Sequence, residues 1–260
     1  MTDKPSPLEP EDDQAQPLIA HLTELRDRLL RSVLAILLIF LALFNWANDI
    51  YTFVSEPLRR FLPEGTSMIA TQVASPFLTP FKLTLVSSIF IAIPYLLHQA
   101  WSFVAPGMYR HEKKIAVPIL ASSILLFYAG IAFAYYIVFP LVFGFFTSIV
   151  PDGVAVMTDI NSYLDFILKL FFAFGIAFEI PVATVLLIAA GVTDPDTLAS
   201  KRPHVVVGCF VVGMVLTPPD IISQTMLAIP VWLLFEVGII AGRIIHKRKK
   251  SEEDTEQIDS

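Results

Sequence analysis

Apolar runs of bilayer length recur along this chain, and they leave it few folds. They lie at 29–47, 77–103, 115–139, 163–190, 204–216 and 221–242. A helix rising 1.5 Å per residue needs about 20 apolar residues to cross a hydrocarbon core of about 30 Å. Only helices and closed barrels satisfy their backbone in lipid. These runs are continuous rather than alternating over ten-residue stretches, so they read as helices and not as barrel strands. Composition agrees. Of 260 residues, 55% are hydrophobic and 16% charged, against about 25% charged in soluble domains. The sequence predicts an all-α integral membrane protein with six spans, a reading that excludes a soluble enzyme.

Lys and Arg orient the spans. Lys4, Arg26, Arg28 and Arg31 precede the first. Arg110, Lys113 and Lys114 fall between the second and third, and Lys201 and Arg202 between the fourth and fifth. Arg243, Lys247, Arg248, Lys249 and Lys250 follow the sixth. That puts 14 cations on one side and only Arg59 and Arg60 on the other. The expectation is both termini in the cytoplasm. Trp46, Tyr51 and Tyr163 then mark the outer interface, and Trp101 and Tyr109 the inner one.

The ends read as polar acidic tails without apolar periodicity, expected to be disordered, at 1–16 and 247–260. They flank one membrane domain over 17–246. The first apolar run follows a long acidic start with no small-residue cleavage site and reads as a retained span.

The last two spans are short and divided by Thr217-Pro218-Pro219-Asp220, a pair of prolines that breaks any helix. The fifth run reaches only about 20 Å as a helix, which is expected to thin the bilayer locally. Pro94, Pro118, Pro181 and Pro230 sit inside spans. Their kinks are expected to shape a concave face.

Nucleotide-binding and hydrolase motifs are missing from the sequence, and the five histidines lack ligand spacing, so neither a cofactor nor a metal is implied. The single Cys209 reads as a packing residue. The informative groups are polar ones in apolar surroundings. Glu179 lies near the middle of the fourth span, just before Pro181. A charge there costs several kcal/mol unless it is paired or wetted, which makes it a functional candidate. It is either protonated or facing a polar cavity. Lys169 is about 15 Å away along the helix, so Asp165, one turn before it, is expected to be the lysine's partner. Asp220 is placed to cap the sixth span, and Gln224 lies one turn on, able to bond a neighbouring helix. On the cytoplasmic side, Glu24–Arg28 and Asp27–Arg31 have ion-pair spacing. Glu112 is the only acid among Arg110, His111, Lys113 and Lys114.

Seven stretches, in order and at span ends, carry a resemblance. They are His21-Leu22-Thr23-Glu24-Leu25-Arg26; Ser75-Pro76-Phe77; Trp101-Ser102-Phe103-Val104-Ala105-Pro106-Gly107-Met108-Tyr109 with Glu112; Phe127-Tyr128 and Phe139-Pro140; Phe174-Gly175 with Phe178-Glu179-Ile180-Pro181; Lys201-Arg202-Pro203; and Leu216-Thr217-Pro218-Pro219-Asp220 with Gln224. From about residue 17 to 242 the chain resembles the TatC family of twin-arginine translocase subunits. The resemblance implies a receptor for signal peptides bearing two adjacent arginines. Such a receptor acts in a complex that exports folded proteins across the bacterial cytoplasmic membrane on the proton-motive force. It implies signal-peptide contacts at Glu24, Arg26, Phe103, Met108 and Glu112, and polar functional groups at Glu179 and Asp220. It further implies docking of single-span TatA- and TatB-type partners at Met214, Thr217 and Gln224, an outer cap depending on Pro57, and a homo-oligomer within the complex. Carboxylates suit the peptide, because guanidinium is bound well by bidentate carboxylate geometry. A small-solute secondary transporter using Glu179 is the competing reading.

Overall fold

The computed structural model describes residues 12–59, 68–104, 113–151, 157–216 and 221–259. Among these the regular structure is helical, apart from one isolated parallel bridge between Ile69 and Asp159. The helices are α1 (Asp12–Leu43), α2 (Ala47–Arg59), α3 (Ser75–Val104), α4 (Lys113–Phe133), α5 (Phe139–Ser148), α6 (Ile160–Ala177), α7 (Ile180–Ala189), α8 (Pro195–Ser200), α9 (Arg202–Leu216) and α10 (Ile221–Asp259). Five stretches are long and apolar enough to cross a membrane: Leu22–Glu56, Ser75–Phe103, Val117–Ser148, Ile160–Ala189 and Gln224–Lys247. Arg202–Leu216 is a shorter apolar helix. The backbone of α10 stays helical through Asp259, into the segment the sequence assigns to the carboxyl-terminal tail.

Prolines remove backbone donors within the helices, and tyrosines replace two of them. Pro94 has no N–H to give Phe90, four residues earlier, and the Tyr128 hydroxyl on α4 donates to the Phe90 carbonyl at 3.0 Å instead. Pro57 likewise leaves the Phe53 carbonyl without its helical donor. Tyr135 donates to that oxygen at 3.0 Å, and buried Tyr163 donates to the neighbouring Val54 carbonyl at 3.1 Å. These two bonds tie α2 to α4–α5 and to α6. Pro140 falls at the start of α5, and the preceding turn, Ala134–Val138, widens into a π-helix. A wider turn gives room for a proline ring that otherwise meets the carbonyl one turn back.

The core forms where α3, α4, α5 and α6 meet. Phe139, Leu164, Ile167, Leu170 and Phe174 are almost fully buried there. Phe139 and Phe90 both pack on Phe171, with ring centroids 5.3 and 6.0 Å away. Glycines allow the closest approaches, as small residues do between helices in lipid. Gly130 of α4 abuts the Phe174 backbone, and Gly175 of α6 abuts the Phe127 ring. Gly238 and Gly242 of α10 abut Thr184 and Ile188 of α7. By contrast Leu29, Leu30, Val33, Leu37 and Leu41 of α1 are exposed. Such a stripe is explained by lipid as its solvent.

Candidate functional site

The first polar centre joins the amino-terminal part of α1 to the end of α3. Arg28 donates from Nε to Glu24 Oε1 at 3.0 Å, from Nη1 to Gln99 Oε1 at 3.2 Å and from Nη2 to the Ser102 carbonyl at 3.1 Å. The i,i+4 spacing expected in the sequence is therefore real for Glu24–Arg28, and Arg28 also bonds the last turn of α3. That brings Glu24 toward Phe103, which is half-buried beside Ser102. The Glu24 side chain keeps 40% exposure, against 22% for Arg28. The other expected pair gives way. Asp27 accepts from Arg26 at 3.0 Å and not, among the described residues, from Arg31. Arg26 itself is exposed.

The second centre is Glu179. Helix α6 stops at Ala177, and Pro181 stands in the first turn of α7, so the span is bent between them. Glu179 occupies that break, where its own N–H bonds Ile176 and its carbonyl accepts from Ala183. Its side chain points across to α4, where Ser123 donates to Oε2. Oε1 is buried with no partner among the described residues. Both side chains line a pocket of about 300 Å³ with Leu97, Trp101, Val182 and Leu186. The sequence marked Glu179 through the oddness of a carboxylate at mid-span. Ser123 carries no such mark, because a lone serine in an apolar helix is ordinary and only the crossing of α4 over α7 makes it a partner.

The third set is the remaining ion pairs between helices. Asp165 was expected to pair with Lys169 on its own helix, and this is corrected: it pairs with Lys82 of α3. Local spacing along α6 offers only Lys169; the packing of α3 against α6 brings Lys82 within reach and selects the cross-helix pair. Arg202 grips Glu236 of α10 through both nitrogens, at 2.6 and 2.7 Å, and Arg243 reaches Asp196 at 3.1 Å. Sequence reasoning missed Glu236. Its signal was available, a single acid inside the last apolar run. Its bidentate partner fixes the start of α9 against α10.

At the α9–α10 edge, Met214 is exposed, and Gln224 is half-buried with its backbone close to Gly213. Pro57 lies in the last part of α2, consistent with the carbonyl repairs above. Met108, Glu112, Thr217 and Asp220 lie outside the described residues.

Membrane-length helices bent at prolines, with polar groups gathered at helix ends and at one break, define a multi-pass helical membrane protein. The model of the Sec-independent protein translocase protein TatC family matches residues 20–230. The TatC protein of Azotobacter chroococcum is 65% identical over 246 residues, 94% of this chain and 96% of that one. That of Escherichia coli K12 is 55% identical over 242 residues, 93% and 94% of the two chains. The crystal structure of a twin-arginine translocase receptor, TatC, aligns with TM-score 0.77 at 37% identity, covering 86% of this chain and 98% of that one. The chain belongs to the TatC family and is a protein-translocase subunit. That assignment leaves the solute-transporter reading without support.

Proposed function

We propose that this chain is the receptor for twin-arginine signal peptides in a Sec-independent translocase of the bacterial cytoplasmic membrane. In this reading it has six spans with both termini cytoplasmic, the sixth crossing being supplied by the short α9. Its complex works on the proton-motive force. Support comes from the Glu24–Arg28–Ser102 junction. It holds a half-exposed carboxylate at the cytoplasmic end of α1, next to the apolar end of α3 at Phe103. An incoming guanidinium meets Glu24 beside Arg28, and Glu112 supplies the second carboxylate that a pair of arginines requires. Arg26 and Met108 flank this site, and the hydrophobic part of the peptide runs along Phe103. Single-span TatA- and TatB-type partners dock along Met214, Thr217 and Gln224, where the short α9 leaves a low edge. Asp220 serves as a polar functional group in this reading, and copies of the chain assemble within the complex.

The test is site-specific crosslinking of a signal peptide to the full chain in membranes. Glu24→Ala or Glu112→Ala is expected to weaken capture of a twin-Arg peptide about tenfold, with less effect on a twin-Lys peptide. Equal capture of the two peptides by the unsubstituted protein would end the receptor reading.

A further inference from the structure

A groove between α3 and α6 has no part in the receptor site. It encloses about 430 Å³, is closed at one side by Leu216 of α9, and is walled by Val86, Phe172 and Ile176. At its polar end stand Lys82, Asp165 and Lys169. Asp165 is paired with Lys82. Lys169 has no carboxylate within ion-pair reach among the described residues. The groove's polar end therefore carries one positive charge in excess.

Depth matters as much as charge. Asp159 accepts bonds from Thr71 at 2.7 and 3.0 Å and from the first turn of α6, which brings the start of α6 level with the segment leading into α3. From those starts, Lys82 lies about 10 Å down α3 and Lys169 about 14 Å down α6. That is below the interface, where an ammonium without a counter-ion is costly, though its stem can carry the charge back toward the surface. From these observations we infer that the groove holds an anionic phospholipid of the leaflet on the 48–75 side. Its phosphate is bound by Lys169 and Lys82, and an acyl chain lies along Phe172, Ile176 and Leu216. A phosphodiester brings the one negative charge the site lacks. A soluble phosphate leaves the apolar walls uncovered. The inference rests on membrane insertion alone and not on the receptor reading.

Native mass spectrometry of the purified full chain in detergent tests it, with phosphatidylglycerol or phosphatidylcholine added. Wild type is expected to retain phosphatidylglycerol about fivefold better, the scale of one lysine at a lipid phosphate. Lys169→Gln is expected to bring that ratio close to one, and Lys169→Arg to preserve it. Melting temperatures of the variants serve as the folding control. If Lys169→Gln does not fold, Asp165→Asn supplies the second measurement: removing the competing anion raises the preference. Equal retention of the two lipids by wild type overturns the proposal, as does a preference untouched by Lys169→Gln. Displacement by inorganic phosphate makes the site a plain anion site and also overturns it. So does a photo-crosslinker at Ile176 that captures protein instead of lipid in native membranes.

Discussion

At the scale of single residues, Asp159 and Glu179 show how one carboxyl chemistry serves two ends. Asp159 caps α6 by accepting from the N–H groups of Asn161 and Ser162, and it also holds Thr71 through its N–H and hydroxyl. Those bonds, led by the one from Ser162, hold its carboxyl well below the usual carboxylate range. A depressed value in the folded state means that the unfolded chain takes up the proton first. The cap's contribution is therefore complete above about pH 4 and fades as pH falls further. Thermal unfolding followed from about pH 6 to 3 is expected to fall more steeply in wild type than in Asp159→Asn. Parallel curves would deny the cap that role. Glu179 is the opposite case, bonded by a single hydroxyl in an apolar pocket. Glu179→Gln keeps a partner for Ser123 but removes the ionisable group. The expected outcome in a vesicle export assay is impaired transport with peptide crosslinking largely kept. Unimpaired export removes Glu179 from the mechanism.

At the scale of elements, stability depends on where helices touch most closely. A Cβ on Gly130 meets the Phe174 carbonyl oxygen at 2.5 Å and its carbon at 2.9 Å, and backbone cannot swing aside. A Cβ on Gly208 of α9 meets nothing within 4 Å. Gly130→Ala is therefore expected to destabilise by roughly 1–3 kcal/mol through overpacking of α4 on α6, whereas Gly208→Ala is neutral. Melting temperatures in one detergent decide it, and equal values for the two variants would contradict the packing described. Gly191 plays a different part. At φ 70° it ends α7 in the left-handed region, its N–H on the Ile188 carbonyl, which a side chain would strain.

At the scale of the whole molecule, the proposed six crossings with both ends inside make a testable prediction. A reporter active only in the cytoplasm should work when fused after Lys247 and fail when inserted in the 60–67 segment. The reverse result, or equal signals, would break the cation rule for this chain. Much of this architecture was legible without a fold. Some apolar runs matched their helices to within a few residues, as at 77–103 against Ser75–Val104 and 204–216 against Arg202–Leu216, whereas 29–47 and 221–242 fell well short of Asp12–Leu43 and Ile221–Asp259. One connecting segment was less legible. The 48–75 stretch begins with the helix Ala47–Arg59, whose packing depends on distant Tyr135 and Tyr163.

Sequence alone determined the membrane class, the break at Pro181 and the exceptional place of Glu179, while Pro94, Pro118 and Pro230 stand inside unbroken helices. These follow from local chemistry: a bilayer demands long apolar helices, and a proline lacks its N–H wherever it stands. Tertiary structure decided the pairings. Lys82 rather than Lys169 takes Asp165, Ser123 meets Glu179, and Arg28 bridges Glu24 to α3. Each joins helices separated by tens of residues. Only the packing of one helix on another sets which side chains come within a hydrogen bond of each other.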